Sequence, residues 1–190
     1  MLREMAKSFY YSEIDLSESF EQFKISDELS NLLTFMTSFG KVSMLVMPYR
    51  VIFASDKFQE TMAYEFFEFL ETWQLIYIDN LLVHTARIID DIHALDTLFD
   101  RCKRLNLHLC KEKCSFIKTS IQTMGFVVDH NVLKPDPQKV DMISKARAPE
   151  NVQELQSFLG LTQFYKNMLP HLAHVAHPLY AATSENFDFQ

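Results

Sequence analysis

Two short apolar runs, separated by Asp79 and Asn80, restrict the fold of this chain more than any other feature of its sequence. They form the segment LIYIDNLLVH, residues 75–84. Runs of about four apolar residues suit β-strands, and aspartate and asparagine tolerate the left-handed backbone that a two-residue turn needs. The segment therefore predicts a β-hairpin that turns at Asp79-Asn80.

Strand and helix periods alternate on either side of this hairpin. Residues 8–16 alternate apolar and polar positions, which predicts a strand that ends near Asp15. A helix capped by Ser55 is predicted from the spacing of Phe58, Met62, Phe66, Phe69 and Trp73. A second helix has a predicted inner face of Ile92, Leu95, Phe99, Cys102 and Leu105. The segment IQTMGFVVDHNVL predicts another hairpin, which turns near His130-Asn131.

Helices alone are predicted after about residue 134. Asp136 is a predicted N-cap followed by proline, and Asn151 with Glu154 resembles a capping box that opens a second helix. Pro170 and Pro178 bracket a third, short helix. The pattern predicts an α+β domain over residues 1–134 joined to a small helical domain over residues 135–190.

The charge is divided unevenly along the chain. The net charge of −7 argues against indiscriminate nucleic-acid binding. The balance is −10 over residues 1–100, +6 over residues 101–147 and −3 over residues 148–190. Such a division is typical of an acidic metal-binding part beside a part that faces phosphates, although solvated charged faces are a commoner cause.

The cysteines and the hydropathy pattern bear on location. Cys102, Cys110 and Cys114 are odd in number and lie among lysines, which favours free thiols in a reducing intracellular compartment, the cytoplasm or nucleus. No run approaches eighteen apolar residues, and the first sixteen residues carry acids and lack an apolar stretch. We therefore expect neither a membrane partner nor a signal peptide.

Two aspartates could form a metal site. Asp15 ends a predicted strand and Asp79 lies at a predicted hairpin tip. Adjacent strands could bring the two carboxylates together, and hard divalent ions prefer carboxylate oxygens in two-metal phosphoryl transfer. The alternative is that both are ordinary turn residues.

Two patterns in the helical tail have competing interpretations. Gln156, Gly160 and Phe164 fall at i, i+4 and i+8, so they share one helix face, where glycine permits either a close-approaching ligand or tight helix packing. His171, His174 and His177 suggest zinc, but their spacing drifts around a helix, Pro178 ends the run and no cysteine accompanies them. Solvent-exposed histidines are the favoured interpretation.

Eight sequence blocks, in order, carry a family resemblance over about residues 5–180. They are IDL…FEQ, TSFGKVSMLVMPY, FQETM, YIDN, LCKEKCSF, MGFVV, KPDPQKV and NVQELQSFLGLTQFYKNMLP. This series resembles the reverse transcriptase of gypsy-type LTR retrotransposons. The resemblance implies a palm, with a ferredoxin-like antiparallel sheet and helices on one face, followed by a helical thumb, with the fingers largely absent.

The resemblance also assigns roles to residues. Asp15, Asp79 and the carbonyl of Leu16 would hold Mg²⁺ or Mn²⁺, and Asn80 occupies the fourth position of the catalytic Tyr-x-Asp-Asp motif. Lys113 would protonate the pyrophosphate leaving group. The nucleotide would lie at Phe20, Tyr49 and Arg50. The primer and template would lie at Gln59, Met124, Gly125, Gln156, Gly160 and Phe164. The implied partners are an RNA template, an RNA–DNA or DNA duplex, and the fingers, RNase H and integrase of a Pol polyprotein.

Departures from the family pattern fall on chemistry. Asn80 replaces an aspartate, so a neutral amide stands where the family has a carboxylate. Residues 47–55 read MPYRVIFAS where the family has Met-Pro-Phe-Gly-Leu-x-Asn-Ala-Pro, and Glu18, Ser19 and Glu21 replace Ser, Gly and His. The core positions stay apolar. We therefore expect impaired or absent polymerase activity.

Three functions remain open on the sequence alone. The chain is an RNA-directed DNA polymerase domain with weakened chemistry, a non-enzymatic relic that binds nucleic acid or protein, or a degraded element without a selected function. The aspartate pair favours the first, and the basic segment with the Gly160 face favours the second.

Overall fold

The computed structural model describes residues 2–49, 51–70, 74–77 and 79–183. Arg50 and Trp73 lie outside these residues. The described strands are β1 (Tyr10–Asp15), β2 (Thr34–Thr37), β3 (Gly40–Ser43), β4 (Gln74–Tyr77), β5 (Asn80–Thr85), β6 (Ser115–Lys118), β7 (Ser120–Thr123), β8 (Phe126–Asp129) and β9 (Val132–Pro135). The described helices are α1 (Leu2–Met5), α2 (Asp27–Leu32), α3 (Ala54–Glu65), α4 (Phe67–Leu70), α5 (Ile88–Arg104), α6 (Pro137–Ser144), α7 (Val152–Phe164) and α8 (Leu172–Ala181). The predicted α+β class is confirmed.

The chain divides into two compact units. One comprises Met1–Ile121 with Asp129–Val132, and the other comprises Gln122–Val128 with Leu133–Gln190. The predicted domain boundary at residue 134 stays a prediction. None of the described helices is both long enough and apolar enough to cross a lipid bilayer.

An antiparallel sheet in the order β4-β5-β1-β6 forms the first unit's centre. The predicted strand that ends at Asp15 and the predicted β4–β5 hairpin are confirmed. Asn80, however, is the first residue of β5 and pairs with Tyr77, so the turn lies one residue earlier than predicted. Of Asp79 and Asn80, only Asp79 lies in the connection between β4 and β5.

Helices α3 and α5 supply the core on one face of this sheet. Ile14, Leu81 and Val83 of the sheet pack in one buried cluster with Phe58 and Met62 of α3. From α5 the cluster takes Ala94, Leu95, Leu98 and Cys102. Burial raises the pKa of the Cys102 thiol to about 11, so this cysteine is a packing residue.

The buried stripe of α5 is rotated from the predicted one. Leu95 and Cys102 are buried as predicted, but Ile92 is 46% exposed and Phe99 is 38% exposed. Leu98 and Asp91 take the central positions instead. Ile92 and Phe99 each follow a residue of the buried stripe. Each is therefore rotated by about 100° around the helix axis and lies at the edge of that stripe.

Two predicted helix ends are wrong, and two caps are right. Helix α3 begins before Ser55, with Phe53 at the N-cap position and no side-chain cap. Helix α8 continues through Pro178, whose carbonyl still accepts a hydrogen bond from the Ala182 N–H at 3.1 Å. Asp136 and Asn151 cap α6 and α7 as predicted.

A second, small sheet has the strand order β7-β8-β9, and the predicted turn at His130-Asn131 is confirmed. The second unit contains the helices α6, α7 and α8. A separate apolar cluster packs Leu155 and Leu159 of α7 against Ala176 of α8 and Ala182 at its C-terminal end.

Asp91 is a buried carboxyl under the central strands of the first sheet. The Ser12 hydroxyl donates to its Oδ2 at 2.6 Å, and the Thr85 hydroxyl lies 3.4 Å from its Oδ1. The Ile117 N–H donates to the same Ser12 oxygen at 2.9 Å, at a point where the β1–β6 register shifts. Burial raises the pKa of Asp91 above its ordinary value of 3.8, although the two hydroxyls oppose that shift.

The raised pKa of Asp91 predicts a pH-dependent stability. The folded state holds the Asp91 proton more tightly than the unfolded state, so ionisation of this group lowers stability as the pH rises from its unfolded pKa through its folded pKa. We therefore compare the free energy of unfolding of Asp91→Asn with that of wild type by urea denaturation. As the pH rises from about 3 to 7, we expect the difference to change in favour of the variant, because only wild type has to ionise this buried group.

Asp90→Asn is the matched control. Its hydrogen bond to Arg87 lowers the pKa of the exposed Asp90 carboxyl, so this variant should lose a little relative stability over the same range. Parallel pH profiles for the two variants would contradict the assignment of Asp91 as a buried acid.

Candidate functional site

The pairing of β1 with β5 places Asp15 and Asp79 at the same end of the first sheet. Asp15 lies directly opposite Asn80, and the Leu16 N–H donates to the Asp79 carbonyl at 3.1 Å. On the other side of β1, the Cys110 N–H donates to the Asp15 carbonyl at 2.8 Å. The backbone therefore holds Asp15 from both sides, beside the connection that carries Asp79.

The Asp15 carboxylate is largely buried. Its Oδ1 is shielded from solvent and accepts no hydrogen bond from the described residues. The Lys113 ammonium lies 3.4 Å from that oxygen, which makes an ion pair without hydrogen-bond geometry. A buried carboxylate oxygen without a donor is a suitable ligand for a hard divalent cation.

Lys113 is the cation that faces both aspartates. Asp15 is the main cause of the raised pKa of Lys113, and Asp79 contributes to it. The Lys113 side chain is 67% exposed, so solvent screens the pair and it contributes little to stability. The amine is protonated at neutral pH with or without this shift, because the ordinary pKa of lysine is about 10.5.

Aromatic and acidic side chains border the aspartates. Phe20 is buried in a 3₁₀ turn (Ser19–Gln22), with its ring centroid 5.2 Å from that of Tyr49. Burial and then the carboxylates of Glu21, Glu18 and Asp79 raise the pKa of Tyr49. The half-exposed Tyr49 hydroxyl therefore lies in a negative environment, and Phe20 forms part of the core.

The oxygen donors at this end of the sheet are of the type that a hard cation prefers, but they carry fewer negative charges than three carboxylates would. Two aspartates and a backbone carbonyl are oxygen donors, as Mg²⁺ and Mn²⁺ prefer. Within the described ranges, however, there is no group of three His, Cys, Asp or Glu side chains arranged for a metal ion. Asn80, which replaces the last aspartate of the family motif, donates from its Nδ2 to Glu13 Oε1 at 3.1 Å.

Gln59 belongs to the first unit but is engaged by the sheet. Its Nε2 donates to the Ile76 carbonyl of β4 at 3.2 Å. Its predicted position against a template stays a prediction. The three tail histidines are exposed along and just before α8, in agreement with the interpretation favoured above.

Met124 and Gly125 form a tight turn in the second unit. Both have positive φ, 50° and 75°, in the two-residue connection between β7 and β8. The Gly125 carbonyl accepts from the Tyr165 hydroxyl at 2.8 Å and from the Asp136 N–H at 2.9 Å. A Cβ on Gly125 would lie 3.0 Å from Phe164 Cε1, so both backbone and packing require glycine.

Gln156, Gly160 and Phe164 are exposed and share one face of α7, whereas Leu155 and Leu159 are buried. A Cβ on Gly160 would meet nothing within 4 Å in the part of the chain that the structure describes. The tight helix packing considered as an alternative is therefore not found around Gly160. Phe164 stacks on Phe126 at 5.3 Å, which fixes one end of this face.

The two glycines should respond oppositely to the same substitution. We expect Gly125→Ala to lower the free energy of unfolding by about 2 kcal/mol, because a left-handed backbone costs an L residue roughly 1–2 kcal/mol and the methyl group meets the Phe164 ring. Gly160→Ala should raise it by up to about 1 kcal/mol, because alanine is the better helix former.

Urea denaturation of both variants beside wild type measures the difference. Equal effects of the two substitutions would contradict the turn geometry described for Gly125.

Two solved structures that share this fold are foamy viral protease-reverse transcriptases. The chain matches a foamy viral protease-reverse transcriptase in complex with double-stranded DNA at a TM-score of 0.86 and 20% identity, over 97% of this chain and 32% of that one. A second such structure, in complex with an RNA/DNA hybrid, matches at 0.84 and 20% identity, over 97% of this chain and 25% of that one. At this identity the match establishes the fold.

Sequence comparison establishes the family. Residues 1–128, more than half of the chain, match the model of the reverse transcriptase (RNA-dependent DNA polymerase) family. The chain therefore belongs to the reverse transcriptase family, as the sequence blocks predicted.

The relatives are retrotransposon polyproteins. The Pol polyprotein of transposon 297 from Drosophila melanogaster is 28% identical over 94% of this chain, and that of transposon gypsy is 25% identical over the same share. The transposon Tf2-7 polyprotein of Schizosaccharomyces pombe is 24% identical over 94% of this chain. The chain spans only 13–17% of the length of these relatives.

Proposed function

We propose that this chain is the palm and thumb of the reverse transcriptase domain of a gypsy-type Pol polyprotein. In this proposal the site is built for two-metal nucleotidyl transfer and is weakened by its own substitutions. The observation that carries the proposal is the β1–β5 pairing, which holds Asp15 and the Asp79 connection at one end of the sheet. Family membership supports the same chemistry.

Each residue of the first unit has a role in this proposal. Asp15, Asp79 and the Leu16 carbonyl would hold Mg²⁺ or Mn²⁺, and the shielded Asp15 Oδ1 is the atom best suited to it. A divalent ion there would activate the attacking 3′-oxygen and stabilise the leaving oxygen. Lys113 protonates the leaving pyrophosphate. Phe20, Tyr49 and Arg50 form the binding position for the incoming nucleotide.

Three substitutions lower the expected rate. Asn80 removes one carboxylate from the ion site, which weakens ion binding. Glu18 and Glu21 add negative charge close to Tyr49, where a triphosphate would approach. The electrostatic result is weaker binding of both the metal ion and the nucleotide.

Primer extension tests the polymerase proposal. With Mn²⁺, an RNA template and a DNA primer, we expect weak extension by wild type and at least about a 100-fold loss in Asp79→Ala, because transition-state charge would lose its main stabiliser. Asn80→Asp should raise the rate above wild type. Equal extension by wild type and Asp79→Ala would end the polymerase proposal.

A second candidate function is nucleic-acid binding without catalysis. The exposed α7 face with no side chain at Gly160 supports this candidate, because a duplex backbone or groove could approach there. The basic segment 101–147 supplies positive charge for phosphates. The proposed partners are an RNA template, an RNA–DNA or DNA duplex, and the fingers, RNase H and integrase of the polyprotein.

Duplex retention tests this second candidate. We expect an RNA–DNA duplex to bind at low salt and to be released as salt rises, and we expect Gly160→Leu to weaken binding by roughly tenfold or more by blocking close approach. Gly160→Ala should bind nearly as wild type, and Gln138→Leu controls for added apolar surface elsewhere in the second unit. No retention of wild type at low salt would exclude nucleic acid as the ligand.

A further inference from the structure

Glu13 lies on the same face of β1 as Asp15. Side chains alternate along a strand, so positions two apart point the same way. Asn80 on β5 is directly opposite Asp15 and therefore diagonal to Glu13, which pairs with Leu82. The Glu13 carboxylate thus reaches the Asn80 amide across the strands, with Oε1 3.1 Å from Nδ2.

The chemistry of this contact fixes which way the Asn80 carboxamide faces. An ionised carboxylate only accepts hydrogen bonds, so the amide nitrogen must be the atom that faces Glu13. Glu13 lies toward the middle of the strands, whereas Asp15 and Asp79 lie at their end. The oxygen and nitrogen of a carboxamide diverge from the same carbon, so a nitrogen held at Glu13 leaves the Asn80 oxygen on the side away from Glu13, where it can face the end that carries the two aspartates.

This orientation matters because the two ends of the amide have opposite electrostatic effects. An amide oxygen is an acceptable ligand for a hard divalent ion, although weaker than a carboxylate. An amide NH₂ carries positive partial charge and repels the same ion. An asparagine that replaces an aspartate at an ion site is therefore useful only if a neighbouring acceptor holds its nitrogen away from the ion.

We infer that Glu13 is a positioning residue that holds the Asn80 carboxamide with its oxygen toward the divalent-ion site of Asp15 and Asp79. Glu13 thereby partly compensates for the aspartate that Asn80 replaces. The inference rests on the proposed function, because it needs an ion at those aspartates. It adds a residue that neither the sequence blocks nor the family match assigns.

The test is the affinity of the intact chain for Mn²⁺ alone, measured by electron paramagnetic resonance without nucleotide or nucleic acid. Glutamine still offers an oxygen to the amide, whereas leucine does not. We expect Glu13→Gln to bind Mn²⁺ within about twofold of wild type and Glu13→Leu to bind about tenfold more weakly, as for loss of an outer partner of a metal ligand. Far-ultraviolet circular dichroism and urea denaturation establish that each variant is folded.

The Asn80→Asp background provides the decisive comparison. The two oxygens of a carboxylate are equivalent, so an aspartate at position 80 can present an oxygen to the ion without a partner that fixes its orientation. Glu13→Leu should therefore not weaken Mn²⁺ binding when it is combined with Asn80→Asp. Equal weakening by Glu13→Gln and Glu13→Leu would show that Glu13 acts only through its charge and would overturn the inference. Unchanged affinity in Glu13→Leu would overturn it too.

Asp79→Ala separates this inference from the proposed function. If Asp79→Ala binds Mn²⁺ with the same affinity as wild type, the proposed ion site is wrong, and so is the role of Glu13. Binding that is lost in Asp79→Ala but is insensitive to Glu13→Leu would overturn the role of Glu13 alone.

Discussion

The antiparallel pairing of β1 with β5 is the constraint on which the candidate site depends. Ile14 and Leu81 point into the helix-covered core, so their neighbours Asp15 and Asn80 must point to the opposite face. A slip of one residue would bury Asp15 among apolar side chains and expose Ile14. Burial of the core thus fixes the register, and the register places Asp15 and the connection that carries Asp79 at the same end of the sheet.

Polar groups around β1 make hydrogen bonds at two places, under the sheet and at the end that carries Asp15. Under the sheet, the Ser12 hydroxyl oxygen accepts from the Ile117 N–H where β6 shifts against β1, and the same hydroxyl donates to Asp91. At the open end, Cys110 holds the Asp15 backbone, and Glu13 engages the substituted Asn80. The apolar core of this fold is therefore kept, while in the proposed function the substitutions fall on groups that would face an ion or a triphosphate.

Local features were predicted well and helix rotation was not. The β4–β5 and β8–β9 hairpins and the Asp136 and Asn151 caps depend on residues within a few positions of one another, so their patterns are legible in the sequence. Ile92 and Phe99 were wrongly placed inside because the sheet, not the helix, decides which stripe of α5 is buried. Ser55 and Pro178 were misread as helix ends because packing of the surrounding residues outweighs local preference.

The sequence by itself determined the family, the α+β class and the position of Asp15 and Asp79 at a strand end and a hairpin tip. Only the tertiary structure decided that Lys113 lies close to both aspartates, that Tyr49 lies close to Asp79 and that the Asn80 amide donates a hydrogen bond to Glu13. Those contacts join residues far apart along the chain, such as Glu13 and Asn80, which are 67 positions apart. Their geometry follows from strand pairing and core packing, which no short sequence pattern encodes.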